Sequence, residues 1–457
     1  MSTRQTQGGR RRRECFGRAC TLIRVVQSRP WSGLRRRTRR LLQDPRAIGT
    51  GTLALSGAIS ALLGVAILPL LTDLYAPDTY AVFAIAAALV STLCVVVTGR
   101  FEQAIPIVCT ETETGGEGNG VAHGLARVAL ITSIVSCLFA QGIVVLLSLL
   151  GWLTEGPMRS VLLSLPLLTF LSSLGGIQSM ILTGMGRYRT MALHQVLRVF
   201  IQLLMQVILG YWQADVRALL LGLAFSLLPS SAHALWMMLP DGMPVAPLLE
   251  TALQHRHMPI YQIPVTLIRG IEGNAFLFVI AIGYGNELVG FFALASRVLL
   301  GPGVILASSV NTVFLYEAVR LSMEGQQRFM RKSFVIMLAV FAAISLATVV
   351  LIGPVQQLLG SQWEGATVVI LASLPLLGAS LVGAVPSSAL LIAGLSRVLL
   401  AWRTLIMALP CAAILVCGGM GAPGVAAIAL AGTTQLILSI VLHYHSLRLI
   451  SVDPSPA

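Results

Sequence analysis

Ser333-Phe-Val-Ile-Met-Leu-Ala-Val-Phe-Ala-Ala-Ile-Ser-Leu-Ala-Thr-Val-Val-Leu-Ile352 runs for twenty residues without one charge. About 20 apolar residues is the length an α-helix needs to cross the hydrocarbon core of a bilayer. Ile48 to Leu71 and Val121 to Leu150 reach the same length. An open strand in lipid would leave its backbone groups unpaired, so these windows are helices. The whole chain has this character. Its 457 residues are 56% hydrophobic and 11% charged, with a mean hydropathy of +0.84, against roughly 25% charged residues in a soluble domain. That composition excludes a soluble enzyme.

Apolar windows separated by charges and Gly/Pro turns predict twelve spans, near 48–71, 79–99, 121–150, 160–184, 190–210 and 216–239, then 260–284, 287–316, 333–352, 364–393, 397–418 and 421–446. The expected fold is therefore all-α and polytopic. Two motifs recur at nearly one spacing. Tyr75-Ala-Pro-Asp-Thr-Tyr-Ala-Val-Phe83 matches Tyr284-Gly-Asn-Glu-Leu-Val-Gly-Phe-Phe292 at an offset of 209, and Gly184-Met-Gly-Arg187 matches Gly394-Leu-Ser-Arg397 at 210. A six-plus-six duplication follows, with bundles at 48–240 and 260–446 joined by a linker at 241–259. An even number of spans per repeat makes the halves parallel, as in transporters that rock two bundles around a central cavity.

The formal charge of +13 imitates a nucleic-acid binder until it is located. Residues 1–47 hold fourteen arginines against Glu14 and Asp44, a net of +12, which leaves +1 for the rest. Such an arm is expected to be disordered against anionic membrane lipids, with no nucleic-acid partner. The loops carry the same bias. One alternate set holds Arg100, Arg187, Arg189, Arg256, Arg320, Arg328, Arg331, Lys332, Arg397, Arg403 and Arg448, and the other only Arg159 and Arg217. Positive charge stays inside, so both termini, with the tail 447–457, are expected in the cytoplasm and the protein in the inner membrane. Arg100, Arg187 and Arg397, at helix ends, read as snorkelling anchors.

The candidates for function are charges at depth. His194, Arg198, Gln202 and Gln206 recur every four residues and form one polar stripe on the fifth span. Arg269 and Glu272 stand three apart on the seventh, and Arg297 on the eighth precedes Gly301-Pro302-Gly303, which can kink a helix. An unpaired charge at the bilayer centre costs about 2.5 to 3.5 kcal/mol. These side chains are therefore expected to line a wet, enclosed cavity with an excess of +2, suited to an anion that arginine forks can grip. Two blander readings stay open: Arg269 with Glu272 as a structural ion pair, and Arg297 as a tie to backbone carbonyls. The seven cysteines have no partners at metal spacing, and no metal, cofactor or catalytic group is expected.

Leu70-Leu-Thr-Asp-Leu-Tyr-Ala-Pro77, Tyr80-Ala-Val-Phe83 and Arg100-Phe-Glu-Gln-Ala-Ile105 resemble the start of polysaccharide-export flippases of the multidrug/oligosaccharidyl-lipid/polysaccharide superfamily. Gly290-Phe-Phe-Ala-Leu-Ala-Ser-Arg297-Val-Leu-Leu-Gly-Pro302 with Val313-Phe314 extends the likeness, which covers about residues 48–446. The resemblance implies flipping of a polyprenyl-diphosphate-linked oligosaccharide, with a coupling ion as a further candidate partner, and no enzymatic step. One departure is Asp73, where the family commonly carries Arg. A cation-coupled drug exporter of the same superfamily would want a carboxylate on the first span, and 48–71 holds none. A membrane glycosyltransferase or polymerase would want a sizeable outward loop, and each loop here is short.

Overall fold

The computed structural model describes residues 45–111, 118–151, 156–238, 245–256, 258–318, 322–393 and 395–451. The arm up to residue 44 and the tail beyond 451 lie outside them. In chain order the helices are α1 (Pro45–Ala66), α2 (Leu68–Leu74), α3 (Pro77–Val97), α4 (Ile105–Glu111), α5 (Gly118–Leu149), α6 (Pro157–Gly184), α7 (Tyr188–Trp212), α8 (Val216–Met238), α9 (Val245–Gln254), α10 (Ile263–Tyr284), α11 (Asn286–Ala295), α12 (Gly301–Ala318), α13 (Met323–Leu358), α14 (Glu364–Ala372), α15 (Leu374–Ile392), α16 (Ser396–Gly419) and α17 (Gly424–Ser451). Eleven spans among the described residues are long and apolar enough to cross a membrane, and the pair α1 and α2, bent by 42°, makes a twelfth.

Local chemistry sets the ends. Pro77 and Pro157 open α3 and α6 at the first turn, where a missing N–H costs nothing. Ser322 caps α13, its hydroxyl accepting from the Gly325 N–H at 3.3 Å, and Glu324 in the first turn suits the positive end of the helix dipole. The fourth and tenth spans end in one way: the Arg187 N–H donates to Leu182 O at 2.9 Å and the Leu395 N–H to Leu390 O at 3.0 Å. Both are the six-residue closure that satisfies terminal carbonyls, at an offset of 208 where the sequence motif repeats at 210. The expected linker is itself structured: α9 occupies most of it, with Leu248 buried in a cluster of first-bundle side chains.

Two arginines differ from their sequence reading, and a third had escaped it. Arg100 is no snorkelling anchor; it adopts a left-handed conformation (φ 60°) and pairs with Glu102 at 3.2 Å, both side chains largely buried. Arg127, which the spanning window concealed, forks onto the last carbonyl of α8, with Nε and Nη2 at 3.1 and 2.9 Å from Met238 O. It thus satisfies an acceptor that the helix end leaves open. Arg403 lies seven residues inside α16, about 11 Å along its axis, and not in a loop.

The two halves meet at the arginine-poor end. Trp363, 1% exposed, donates from Nε1 to the Tyr75 carbonyl at 3.0 Å and packs edge-on against Tyr80 and Phe291 with ring centroids 5.7 and 5.9 Å apart. Gly290 on α11 lies against the Pro77 backbone so closely that a Cβ there would stand 2.8 Å from the Pro77 carbonyl carbon. One hydrophobic cluster joins both halves at this level, with Leu71 and Tyr80 from the first and Val289, Phe292 and Trp363 from the second. The clusters of the other end divide: Phe101, Leu125, Leu174 and Met238 form one, and Phe314, Met330 and Leu447 another. The bundles are sealed at the arginine-poor end and packed separately at the opposite one.

Candidate functional site

Helices α10, α11, α12, α15, α16 and α17 of the second bundle surround a cavity of about 1010 Å³, at the upper end of the size range of small-molecule sites. Its one described ion pair joins Glu272 of α10 to Arg403 of α16, with Nη1 and Oε1 3.0 Å apart. Both remain part-exposed, at 23% and 48% of their side-chain surface. Glu272 therefore finds its partner 131 residues away. The Arg269 side chain lies outside the described residues.

The rest of the wall is hydroxyl and amide. Asn274, Asn311, Ser380, Ser387, Gln435 and Ser439 line the cavity beside Phe276 and Phe292. Ser380 and Ser387 donate to the carbonyls of Leu377 and Gly383, each at 2.8 Å. Their single protons are used, so what each offers the cavity is lone pairs. Asn311 Oδ1 is buried and has no hydrogen-bond partner among the described residues. An acceptor left unmet in this way costs free energy until a donor reaches it. Asn274 ties the wall to the first bundle, its amide donating to Ser91 and Thr92 of α3 at 3.3 Å each.

The other candidates are distributed around this cavity and do not all line it. Arg297 sits in a π-turn, Ser296–Leu300, that joins α11 to α12 without a break at Pro302. Its Nη1 donates to the Tyr80 hydroxyl at 2.8 Å, and Gly64 of α1 leaves room for the guanidinium, since a Cβ there would stand 3.4 Å from Nε. Arg297 thus reaches across to the first bundle, held by a phenol and by no carboxylate among the described residues. Arg198 has no hydrogen bond or ion pair to another described residue, and its charge acts on the Cys94 thiol of α3.

The polar stripe of the fifth span divides between two neighbours. His194 stacks on His233 of α8, centroids 4.9 Å apart and planes 13° from parallel, and Gln178 of α6 donates to His233 Nδ1 at 2.7 Å. Gln206 is fully buried and donates to the Leu219 carbonyl at 3.4 Å, where Gly222 lets α8 approach α7. It ties two helices and does not line the cavity of the second bundle. Gln202, one turn away, is part-buried and has no side-chain hydrogen bond among the described residues. The sequence reading missed Arg403, Asn311, Gln435 and His233. Only Arg403 carried a signal, and its charge had pointed to a loop.

No group of three His, Cys, Asp or Glu side chains able to hold a metal occurs among the described residues, and Cys94, Cys109, Cys137, Cys411 and Cys417 form no disulfide among them.

Residues 70–368 match the family described as polysaccharide biosynthesis protein. No curated protein matches the chain significantly. Solved structures share the fold across most of its length. A multidrug resistance transporter of the multidrug/oligosaccharidyl-lipid/polysaccharide superfamily, in an inward-facing conformation, is 16% identical with a TM-score of 0.62, covering 88% of this chain and all of that one. An outward-facing conformation of such a transporter is 17% identical with a TM-score of 0.56, over 90% and 97%. A superfamily member from Pyrococcus furiosus, described as having a binding pocket of reverse polarity, is 16% identical with a TM-score of 0.51, over 90% and 95%.

Proposed function

We propose that this chain, which belongs to the polysaccharide biosynthesis protein family, carries a polyprenyl-diphosphate-linked oligosaccharide across the membrane by alternating access. The family places it in polysaccharide biosynthesis, and its fold is that of membrane transporters. The cavity of the second bundle carries the finer reading. An acceptor-rich wall suits a ligand that brings many hydroxyl donors, as a sugar does. Phe276 and Phe292 offer apolar faces to a pyranose ring, and a cavity of about 1010 Å³ accommodates more than one.

The diphosphate belongs to the arginines outside that wall. Arg297, fixed on one side by Tyr80, and Arg198 have N–H groups to spare, and a bidentate fork on phosphate oxygens is the contact arginine makes best. Arg269 joins them as a third candidate by its place on α10. Glu272 holds Arg403 in the wall. The arginine-rich end faces the cytoplasm on the loop bias, so the described state is closed to the outside.

Complementation of polysaccharide export, with membrane abundance measured in parallel, tests this. Asn311→Ala and Arg403→Ala should each lower export at normal abundance. Arg297→Lys should fail nearly as badly as Arg297→Ala, because lysine keeps the charge and loses the fork. Normal export by Asn311→Ala, Arg403→Ala and Arg297→Ala together refutes the proposal. The likeness to multidrug transporters favours a second reading, since the same lone pairs would accept an organic cation. Efflux of a cationic dye that needs Glu272 would support that reading against the first.

A further inference from the structure

On the second bundle, α13 and α17 enclose another pocket, of about 520 Å³, that shares no lining residue with the substrate cavity. Its chemistry changes along the helix axes. Arg331, two turns into α13, and Arg448, in the last turn of α17, make a cationic end. Phe334, Val335 and Tyr444, further from the arginine-rich surface, make an apolar one. Val335 and Tyr444 are 64% and 56% exposed, so this wall opens sideways, where a membrane protein meets hydrocarbon.

At the level of the apolar end, next to Tyr444 in α17, lies His443. It is 2% exposed, its ring stacks on Phe334 with centroids 4.4 Å apart, and its Nδ1 is buried without a hydrogen-bond partner among the described residues. Buried ring nitrogens in folded proteins are nearly always partnered.

We infer that this pocket holds one anionic glycerophospholipid of the leaflet at the arginine-rich end. Its phosphate lies between Arg331 and Arg448, an ester carbonyl accepts from His443 Nδ1, and one acyl chain runs along Phe334, Val335 and Tyr444. Charge complementarity selects the headgroup, since basic side chains at the membrane surface attract anionic lipid. The orphaned nitrogen selects a glycerol ester over a polyprenyl phosphate, which has no carbonyl to offer. The inference does not depend on the identity of the transported substrate.

The test uses the full chain, purified and delipidated in a neutral detergent, with phosphatidylglycerol, phosphatidylcholine and polyprenyl phosphate as probes. Phosphatidylglycerol should raise the melting temperature and remain as a single adduct in native mass spectrometry, and the other two should do neither. Arg331→Ala and Arg448→Ala should each weaken its half-saturation about fivefold, the weight of one basic residue at an anionic surface. Val335→Trp should block the groove and remove the adduct. Arg331 and Val335 border the open side of the pocket, so the lipid-free melting temperature of their variants should stay unchanged; for Arg448→Ala, whose side chain has a further interaction, the adduct count reads binding. Equal shifts from phosphatidylcholine, a shift from polyprenyl phosphate alone, or undiminished phosphatidylglycerol binding by the double arginine variant would each overturn the inference.

Discussion

Gly290→Ala should loosen the seal at the arginine-poor end. The added methyl would stand 2.8 Å from the Pro77 carbonyl carbon and 3.1 Å from its Cα, where 3.4–4 Å is ordinary contact. The Pro77 carbonyl oxygen is closer still, so backbone must move by about 1 Å, and no flexible side chain is there to yield. Overpacking of this kind costs about 1 to 3 kcal/mol. If the bundles separate at this end during transport, the cost falls on the sealed state alone and shifts the equilibrium toward opening by roughly 5- to 150-fold. Cysteines placed at Thr72 and Gly360, whose backbones adjoin in the seal, report the shift as slower disulfide cross-linking. Gly353→Ala, with nothing within 4 Å of its added methyl, is the control. Cross-linking of Gly290→Ala at the control's rate, in a protein of normal abundance, would show that the close approach does not hold the bundles together.

Three further outcomes are expected. Burial raises the Glu102 carboxyl above its ordinary 4.5, against the opposing pull of Thr98 and Arg100. Its contribution to stability is therefore complete below pH 4.5 and is lost as pH rises through the raised value. The melting temperature of the wild type should fall relative to Glu102→Gln over that window, and a difference independent of pH would contradict the assignment. Arg127→Lys keeps the charge and loses one of two hydrogen bonds to Met238 O, so unfolding in mixed micelles should become easier by about 1 to 2 kcal/mol. Deleting residues 2–44 should leave export largely intact, because an arm whose charge is nearly all arginine holds to the surface by electrostatics alone. Loss of export at normal membrane levels would assign the arm a role in transport.

The spans were legible because lipid imposes one requirement on every segment that crosses it, and a window such as 333–352 meets that requirement without reference to the rest of the chain. What each polar side chain faces depends on neighbours far away in sequence, and there the reading stopped. Glu272 had Arg269 three residues off as its visible partner, and the described partner is Arg403, from the penultimate span. The four-residue spacing of His194 and Gln206 was evident, but the crossing of α7 on α8, which turns both toward His233 and Gly222, was not. Arg127 was hidden because one charge barely changes the average of a long apolar window. The helix α9 was missed because ten residues are too few to register as a span.

The eighth span carries the Gly290 contact at one end, Arg297 in its π-turn, and Asn311 of the cavity wall beyond. A π-turn is one surplus residue in an otherwise α-helical rod. Absorbing that surplus rotates one end of the rod against the other by about 100°, the angle of one residue in 3.6 per turn. The span is thus a shaft with a joint at its middle, linking the wall of the second-bundle cavity to the place where the two bundles close.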